Sequence, residues 1–182
     1  MTAPIEEKLR QIKLVALDVD GVLTAGNINI GERGEIYKAF SAKDGLSISA
    51  AIRHGLKVII VTGRVSSIVH NRARELNLTQ VCEGVQDKGK MLRQLAIHYK
   101  LELAEIAFMG DDLNDLAALT RAGLAAAPAD AVPEVLAVSG FIAKKTGGHG
   151  AVRELVEAIL KAQGLWEKMV TEYLQAGQGD KQ

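Results

Sequence analysis

One cysteine, Cys82, stands in a chain of 182 residues, so no internal disulfide can form. It sits in the stretch Gln80-Val81-Cys82 and reads as a small core side chain. With no Cys/His cluster, nothing supports a zinc site. Aromatics make up only 4% of the residues, so the core has to be built from Ala, Val, Ile and Leu. The 22 basic and 22 acidic residues cancel and are scattered without long runs of one sign. A nucleic-acid surface normally shows a basic excess, so no nucleic-acid partner is expected. No apolar run approaches membrane-spanning length, and the first residues lack the basic-then-apolar pattern of a secretory leader. The expectation is a cytoplasmic protein with no membrane partner.

What is present is a 48% hydrophobic chain, enough for a sizeable core in a single domain spanning residues 1–182. Short apolar runs at residues 13–18, 56–61, 80–82, 106–109, 124–126 and 141–142 read as strands. Segments 46–54, 66–75, 88–99, 112–122, 132–138 and 151–163 read as helices, with Ser66 and Asp112 as N-caps and Gly123 as a stop. Runs buried on both faces that alternate with helices predict an α/β fold, a Rossmann-like parallel sheet flanked by helices.

Residues 25–41 break this alternation. Segments 27–30 and 35–40 read as a small β-hairpin around Gly31-Glu32-Arg33-Gly34. A lone ribbon is marginal in water, and this one exposes Ile28, Ile30, Ile36, Tyr37 and Phe40. It needs a partner surface, either copies of itself in an oligomer or its own domain. Residues 164–182 form a tail in which Trp166 and Tyr173 read as packing residues, and which is a candidate lid. The last six residues, polar, are expected to be loose.

The chemistry collects at strand ends. Asp18-Val19-Asp20-Gly21-Val22-Leu23-Thr24 follows the apolar run Leu14-Val15-Ala16-Leu17. Period-two alternation starts Asp18 and Asp20 on one side of the backbone, and Gly21 permits a sharp turn. A carboxylate pair at the end of a buried strand is costly unless a cation or a reaction uses it. A second apolar run ends in Thr62-Gly63-Arg64: a hydroxyl, an open backbone and a forked cation suited to phosphate or carboxylate. A third ends in Gly110-Asp111-Asp112-Leu113-Asn114-Asp115. Lys88 opens a helix, where the dipole favours anions, so it should face an anion of its own. Ligands of open parallel sheets bind outside the carboxyl ends of the strands. Carboxylates, hydroxyl, arginine and lysine are therefore expected in one crevice, with oxygen ligands for a hard divalent cation such as Mg²⁺. An Asp carboxylate in such a site is a suitable nucleophile for phosphoryl transfer.

This set resembles the haloacid-dehalogenase-like phosphatase superfamily, whose motifs match Asp18-Val19-Asp20-Gly21, Val61-Thr62-Gly63-Arg64, the helix-initial Lys88 and Gly110-Asp111-Asp112. The resemblance implies Asp18 as nucleophile and Asp20 as general acid and base. It implies Thr62, Gly63 and Lys88 as phosphate binders. Metal ligands would be Asp18, Asp111 and the main-chain carbonyl of Asp20, with Asp112 and Asp115 in support. Only the hairpin occupies the first place where caps are inserted, and residues 65–87 leave room for one helix and one short strand, so no cap domain is expected.

Along nearly the whole chain the resemblance narrows to one family. Ala25-Gly26-Asn27-Ile28, Gly34-Glu35-Ile36-Tyr37-Lys38-Ala39-Phe40, Gly84-Val85-Gln86-Asp87-Lys88 and Gly147-Gly148-His149-Gly150 are similar to the 3-deoxy-D-manno-octulosonate 8-phosphate phosphatase family of lipopolysaccharide core synthesis. That implies a homotetramer assembled through the hairpins. It implies Lys43, Asp44 and Gly45 near the sugar, and Arg64 on a substrate carboxylate or phosphate. Three alternatives stay open: a phosphatase for a nine-carbon sugar acid 9-phosphate, a phospho-accepting regulatory domain, and an inactive scaffold. His54 reads as a helix C-terminal cation, and His70 and His98 as surface or partly buried. Residues 146–150 read as a hinge or as an anion site at a helix start, with Arg153 as a candidate substrate or subunit contact.

Overall fold

The computed structural model describes residues 4–176. Its strands are β1 (Leu14–Leu17), β2 (Asn29–Gly31), β3 (Gly34–Tyr37), β4 (Lys57–Val61), β5 (Gln80–Cys82), β6 (Ile106–Met109), β7 (Leu124–Ala127) and β8 (Phe141–Ile142). Six of them form one sheet in the order β5-β4-β1-β6-β7-β8, and every pairing in it is parallel. The chain runs outward from β1 to β5, then crosses to β6 on the other side. The order therefore reverses at β1, which is where open α/β sheets bind ligands.

The helices are α1 (Ile5–Gln11), α2 (Ala42–Arg53), α3 (Ser67–Glu75), α4 (Lys88–Tyr99), α5 (Leu116–Leu119), α6 (Pro133–Val138), α7 (Ala151–Ala162) and α8 (Trp166–Ala176). Strand alternation divides the core into two layers. Val15, Leu17, Val58, Ile60, Ala107 and Met109 pack toward α2 and α7. Leu14, Ala16, Ile59, Val61, Ile106 and Phe108 pack toward α4, α5 and α6. In α7 the stripe Val152, Leu155, Val156, Ile159 and Leu160 is fully buried, the spacing an amphipathic helix requires. The core is aliphatic as expected, with Phe108 its one fully buried aromatic among the described residues. No described helix is long and apolar enough to cross a membrane.

Several boundaries differ from the sequence reading. Helix α2 starts at Ala42, a turn earlier than residue 46, because Ser41 caps it by accepting from Asp44 N at 3.3 Å. The helix expected over 112–122 is a 3₁₀ turn, Leu113–Asp115, followed by the short α5. Asp112 is the N-cap of that turn, and the Asp115 side chain accepts from Asp112 N in return. Helix α1 was missed because it buries only Leu9, too little for a periodic signal. Helix α8 was read as a tail. It packs on its own domain through Met169, Trp166 and Tyr173, with Arg53 and Arg153 over the two rings. The last six residues, expected to be loose, lie outside the described ones.

Strands β2 and β3 make the expected ribbon, with shorter strands than the sequence indicated. Ile30, Ile36 and Tyr37 are 66%, 61% and 57% exposed. Phe40 is a correction: it leaves the ribbon, packs against the core and lies under Arg72. Residues 65–87 hold α3 and β5 alone, so no cap domain is inserted.

Candidate active site

Asp18 follows β1, Thr62 follows β4 and Asp111 follows β6 by one residue, so three adjacent parallel strands end at one point. With Asp20, Gly63, Arg64 and Asp112 they line an open cavity of about 240 Å³. Gly26, Ile28 and Asn114 complete its wall. Asn114 and Gly26 had no assigned role in the sequence and Ile28 was read as exposed ribbon surface, because a wall position depends on the turn and ribbon folding inward.

Two glycines set the floor. Gly21 has φ +86°, and a Cβ there would stand 2.0 Å from Asp111 Oδ2. The carboxylate of Asp111 therefore rests directly on the turn that carries Asp18 and Asp20. Gly147 is pressed on the same turn from behind, where a Cβ would stand 1.8 Å from Gly21 O. Gly148 N donates to Val22 O at 2.9 Å. Residues 146–150 are thus a buttress rather than a hinge.

Lys88, 2% exposed, lies between two carboxylates. Its Nζ is 2.6 Å from Asp115 Oδ1 and 2.8 Å from Asp18 Oδ2. Burial alone would lower its pKa, but Asp18 and Asp115 outweigh that and hold the ammonium above its ordinary value. The anion that this helix-initial lysine was expected to face is, in this state, the protein's own. Asp115 is fully occupied: Oδ2 accepts from Asp111 N at 2.9 Å and Asp112 N at 3.4 Å. Asp112 is exposed and caps the 3₁₀ turn through Leu113 N at 2.7 Å.

The remaining charge balance is unfavourable. Burial, then the charge of Asp115, pushes Asp18 up to about 6 despite Lys88. Burial, then Asp18, Asp115 and Asp112, pushes Asp111 up to about 7. Carboxylate oxygens of Asp18, Asp111 and Asp115 lie within 4.8 Å of one another, and buried Asp111 Oδ1 has no hydrogen-bond partner. An unpartnered buried carboxylate oxygen among like charges fits a divalent cation. Asp115 already meets Lys88 and two amides, so Asp18 and Asp111 are the side chains of the three that fit it best.

Asp20 is half-buried. Its Oδ1 is ion-paired with Lys38 Nζ, and its Oδ2 is 3.7 Å from Arg64 Nε. Thr62 is buried with Oγ1 accepting from Arg64 N at 3.3 Å, so its proton stays available to a ligand. Lys38 was missed. The ribbon must fold back before it meets a carboxylate 18 residues earlier, and no local spacing rule encodes that.

Lys43, Asp44 and Gly45 do not join this cavity. Lys43 is exposed. Asp44 is buried at the start of α7, where its carboxylate accepts from Gly150 N at 3.2 Å and Arg153 N at 2.7 Å. It fills the helix-start anion site expected near residue 150, as a structural cap. A Cβ on Gly45 would stand 2.2 Å from an Arg72 nitrogen, so that glycine admits a neighbouring side chain. Arg153 pairs with Glu157 at 3.4 Å and lies over the Trp166 ring. His54 follows α2 as its C-cap, with Nδ1 2.9 Å from Ala50 O and Nε2 3.3 Å from Glu172.

The pattern of the haloacid dehalogenase-like hydrolases matches residues 80–155. The 3-deoxy-D-manno-octulosonate 8-phosphate phosphatase of Escherichia coli (strain B) is 36% identical over 164 residues, 90% of this chain and 87% of that protein. The crystal structure of the Moraxella catarrhalis phosphatase of that name, in complex with magnesium ion, phosphate ion and KDO, is 40% identical. It superposes with a TM-score of 0.90 over 93% of this chain and 97% of that one. The cobalt-bound Haemophilus influenzae phosphatase is 33% identical with a TM-score of 0.88, covering 92% and 99%. With this similarity along both chains, the chain belongs to the 3-deoxy-D-manno-octulosonate 8-phosphate phosphatase family of haloacid dehalogenase-like hydrolases.

Proposed function

We propose that this protein is a Mg²⁺-dependent phosphomonoesterase that hydrolyses 3-deoxy-D-manno-octulosonate 8-phosphate, a step of lipopolysaccharide core synthesis. The observation that carries the reading is the cluster of Asp18, Asp111 and Lys88 beside Asp20 at the β1 switch point. The relatives' names supply the substrate. Asp18, Asp111 and the main-chain carbonyl of Asp20 would hold Mg²⁺. When bound, the ion offsets the repulsion between carboxylate and phosphate.

The residues then divide the work. Thr62 Oγ1, Gly63 N and Lys88 Nζ hold the non-reacting phosphate oxygens, and Arg64 meets a substrate oxygen at the cavity rim. An Asp18 oxygen attacks phosphorus while Asp20 gives its proton to the departing sugar hydroxyl, leaving an aspartyl-phosphate on Asp18. Asp20 then takes a proton from water, which attacks phosphorus, breaks the bond to Asp18 and releases phosphate. Asp115 keeps Lys88 and the Asp111 loop in register. A phospho-accepting domain would need no group placed as Asp20 is.

The exposed Ile30, Ile36 and Tyr37 support a homotetramer formed through residues 25–41. Residues 1–182 are read as one phosphatase domain with this assembly element. A cytoplasmic location accords with Cys82 as a buried free thiol.

The test is phosphate release from 3-deoxy-D-manno-octulosonate 8-phosphate and from a nine-carbon sugar acid 9-phosphate, with Mg²⁺ and with chelator. A higher kcat/KM for the octulosonate, lost on chelation, supports the reading. Preference for the nine-carbon ester sinks the substrate assignment.

A further inference from the structure

Lys38 follows β3 and has no part in the steps above, yet its side chain is 1% exposed. A buried ammonium is tolerated only when paired with good geometry. Its Nζ meets Asp20 Oδ1 and lies 2.9 Å from Glu35 Oε1. Glu35 Oε2 accepts from Ser66 Oγ. Ser66 is the N-cap of α3, its Oγ also accepting from Val69 N at 3.4 Å. A continuous chain of contacts thus runs from Asp20 through the ribbon to the helix that follows Thr62-Gly63-Arg64. With its side chain 1% exposed and its Nζ between two carboxylates, the link from Lys38 to the reacting groups is its contact with Asp20.

We propose that Lys38 is a positioning residue for Asp20: it anchors Oδ1 and leaves Oδ2, on the Arg64 side, to exchange the proton with leaving group and water. The proposal rests on the proton-transfer role given to Asp20 above. A free aspartate samples several staggered side-chain states. A carboxylate pinned at one oxygen keeps the other within reach of the ester oxygen, and misplacement by about 1 Å is enough to slow such a step by about 100-fold.

The experiment uses the full-length protein with Mg²⁺ and compares an alkyl phosphate with p-nitrophenyl phosphate. Nitrophenolate departs without a proton, and kcat/KM covers events up to that departure. Lys38→Met should lower kcat/KM for the alkyl ester by about 10- to 100-fold and for the nitrophenyl ester by less than about threefold, a fraction of the whole general-acid effect. In an Asp20→Asn background the same substitution should cause no further loss. An equal loss on both esters, or a loss that multiplies with that of Asp20→Asn, overturns the proposal. Should Lys38→Met fail to give a cooperative melt, Glu35→Gln keeps the lysine and loosens its second anchor. It should show the same dependence on leaving group at smaller size, and a uniform loss or no loss overturns the proposal. A wild type that ignores the octulosonate ester but cleaves the alkyl ester would sink the proposed substrate and leave this test intact.

Discussion

Asp115 Oδ1 lies 2.6 Å from Lys88 Nζ, with side chains 0% and 2% exposed. This pair reconciles a lysine with the first position of α4, where the helix dipole disfavours cations. The other oxygen of Asp115 holds Asp111 N, so one side chain fixes both Lys88 and the loop that carries Asp111.

Asp115→Asn therefore acts on stability and activity together. Removing one member of a buried ion pair costs about 3–5 kcal/mol, and the lower end is expected because Asp18 still faces Lys88. The denaturant midpoint should fall with the slope unchanged. A midpoint equal to wild type contradicts the account.

Asp18→Asn should abolish turnover with the fold kept, since it removes the nucleophile. Asp20→Asn should lower turnover by about 10²- to 10⁴-fold, the usual worth of a general acid and base. Phosphate release and thermal melts check both. Near-normal activity in Asp18→Asn would exclude the nucleophile assignment.

The carboxyls of Asp18 and Asp111 set the pH response of the metal-free protein. Their folded pKa values, about 6 and about 7, lie above the ordinary 3.8, so the folded state binds more protons than the unfolded one between those limits. Their contribution to stability then falls as pH rises from about 4 to about 7. A divalent cation must displace those protons, so its affinity rises over the same window. The Mg²⁺-induced gain in melting temperature should be larger at about pH 8 than at about pH 5.5. A gain independent of pH would argue against Asp111 as a ligand.

Ile30→Asp combined with Ile36→Asp tests the ribbon without disturbing Glu35 or Lys38. Charges on an apolar contact face should dissociate the proposed tetramer, as light scattering would report. A double variant that remains tetrameric rules out these side chains as the contact.

Much of the site was legible because each strand ends in its own local signal. Asp18, Thr62 and Asp111 each follow an apolar run, and parallel pairing brings such ends together whatever the loops do. Ser66 was readable as a helix start for the same reason, and its Oγ accepts from Val69 N, the third residue on. The capping role of Asp44 was not legible, because its partners, Gly150 and Arg153, lie 106 and 109 residues away.

From the sequence alone came the fold class, the strand-end carboxylates and the exposed ribbon, since period and turn chemistry act over a few residues. The tertiary structure alone decided which carboxylates are free. Asp115 is occupied by Lys88 and two amides, Asp44 by a helix start, and Asp20 by Lys38, leaving Asp111 with an unpartnered oxygen. Those pairings depend on burial, which raises the cost of every unpaired charge and is a property of the packed chain rather than of any segment.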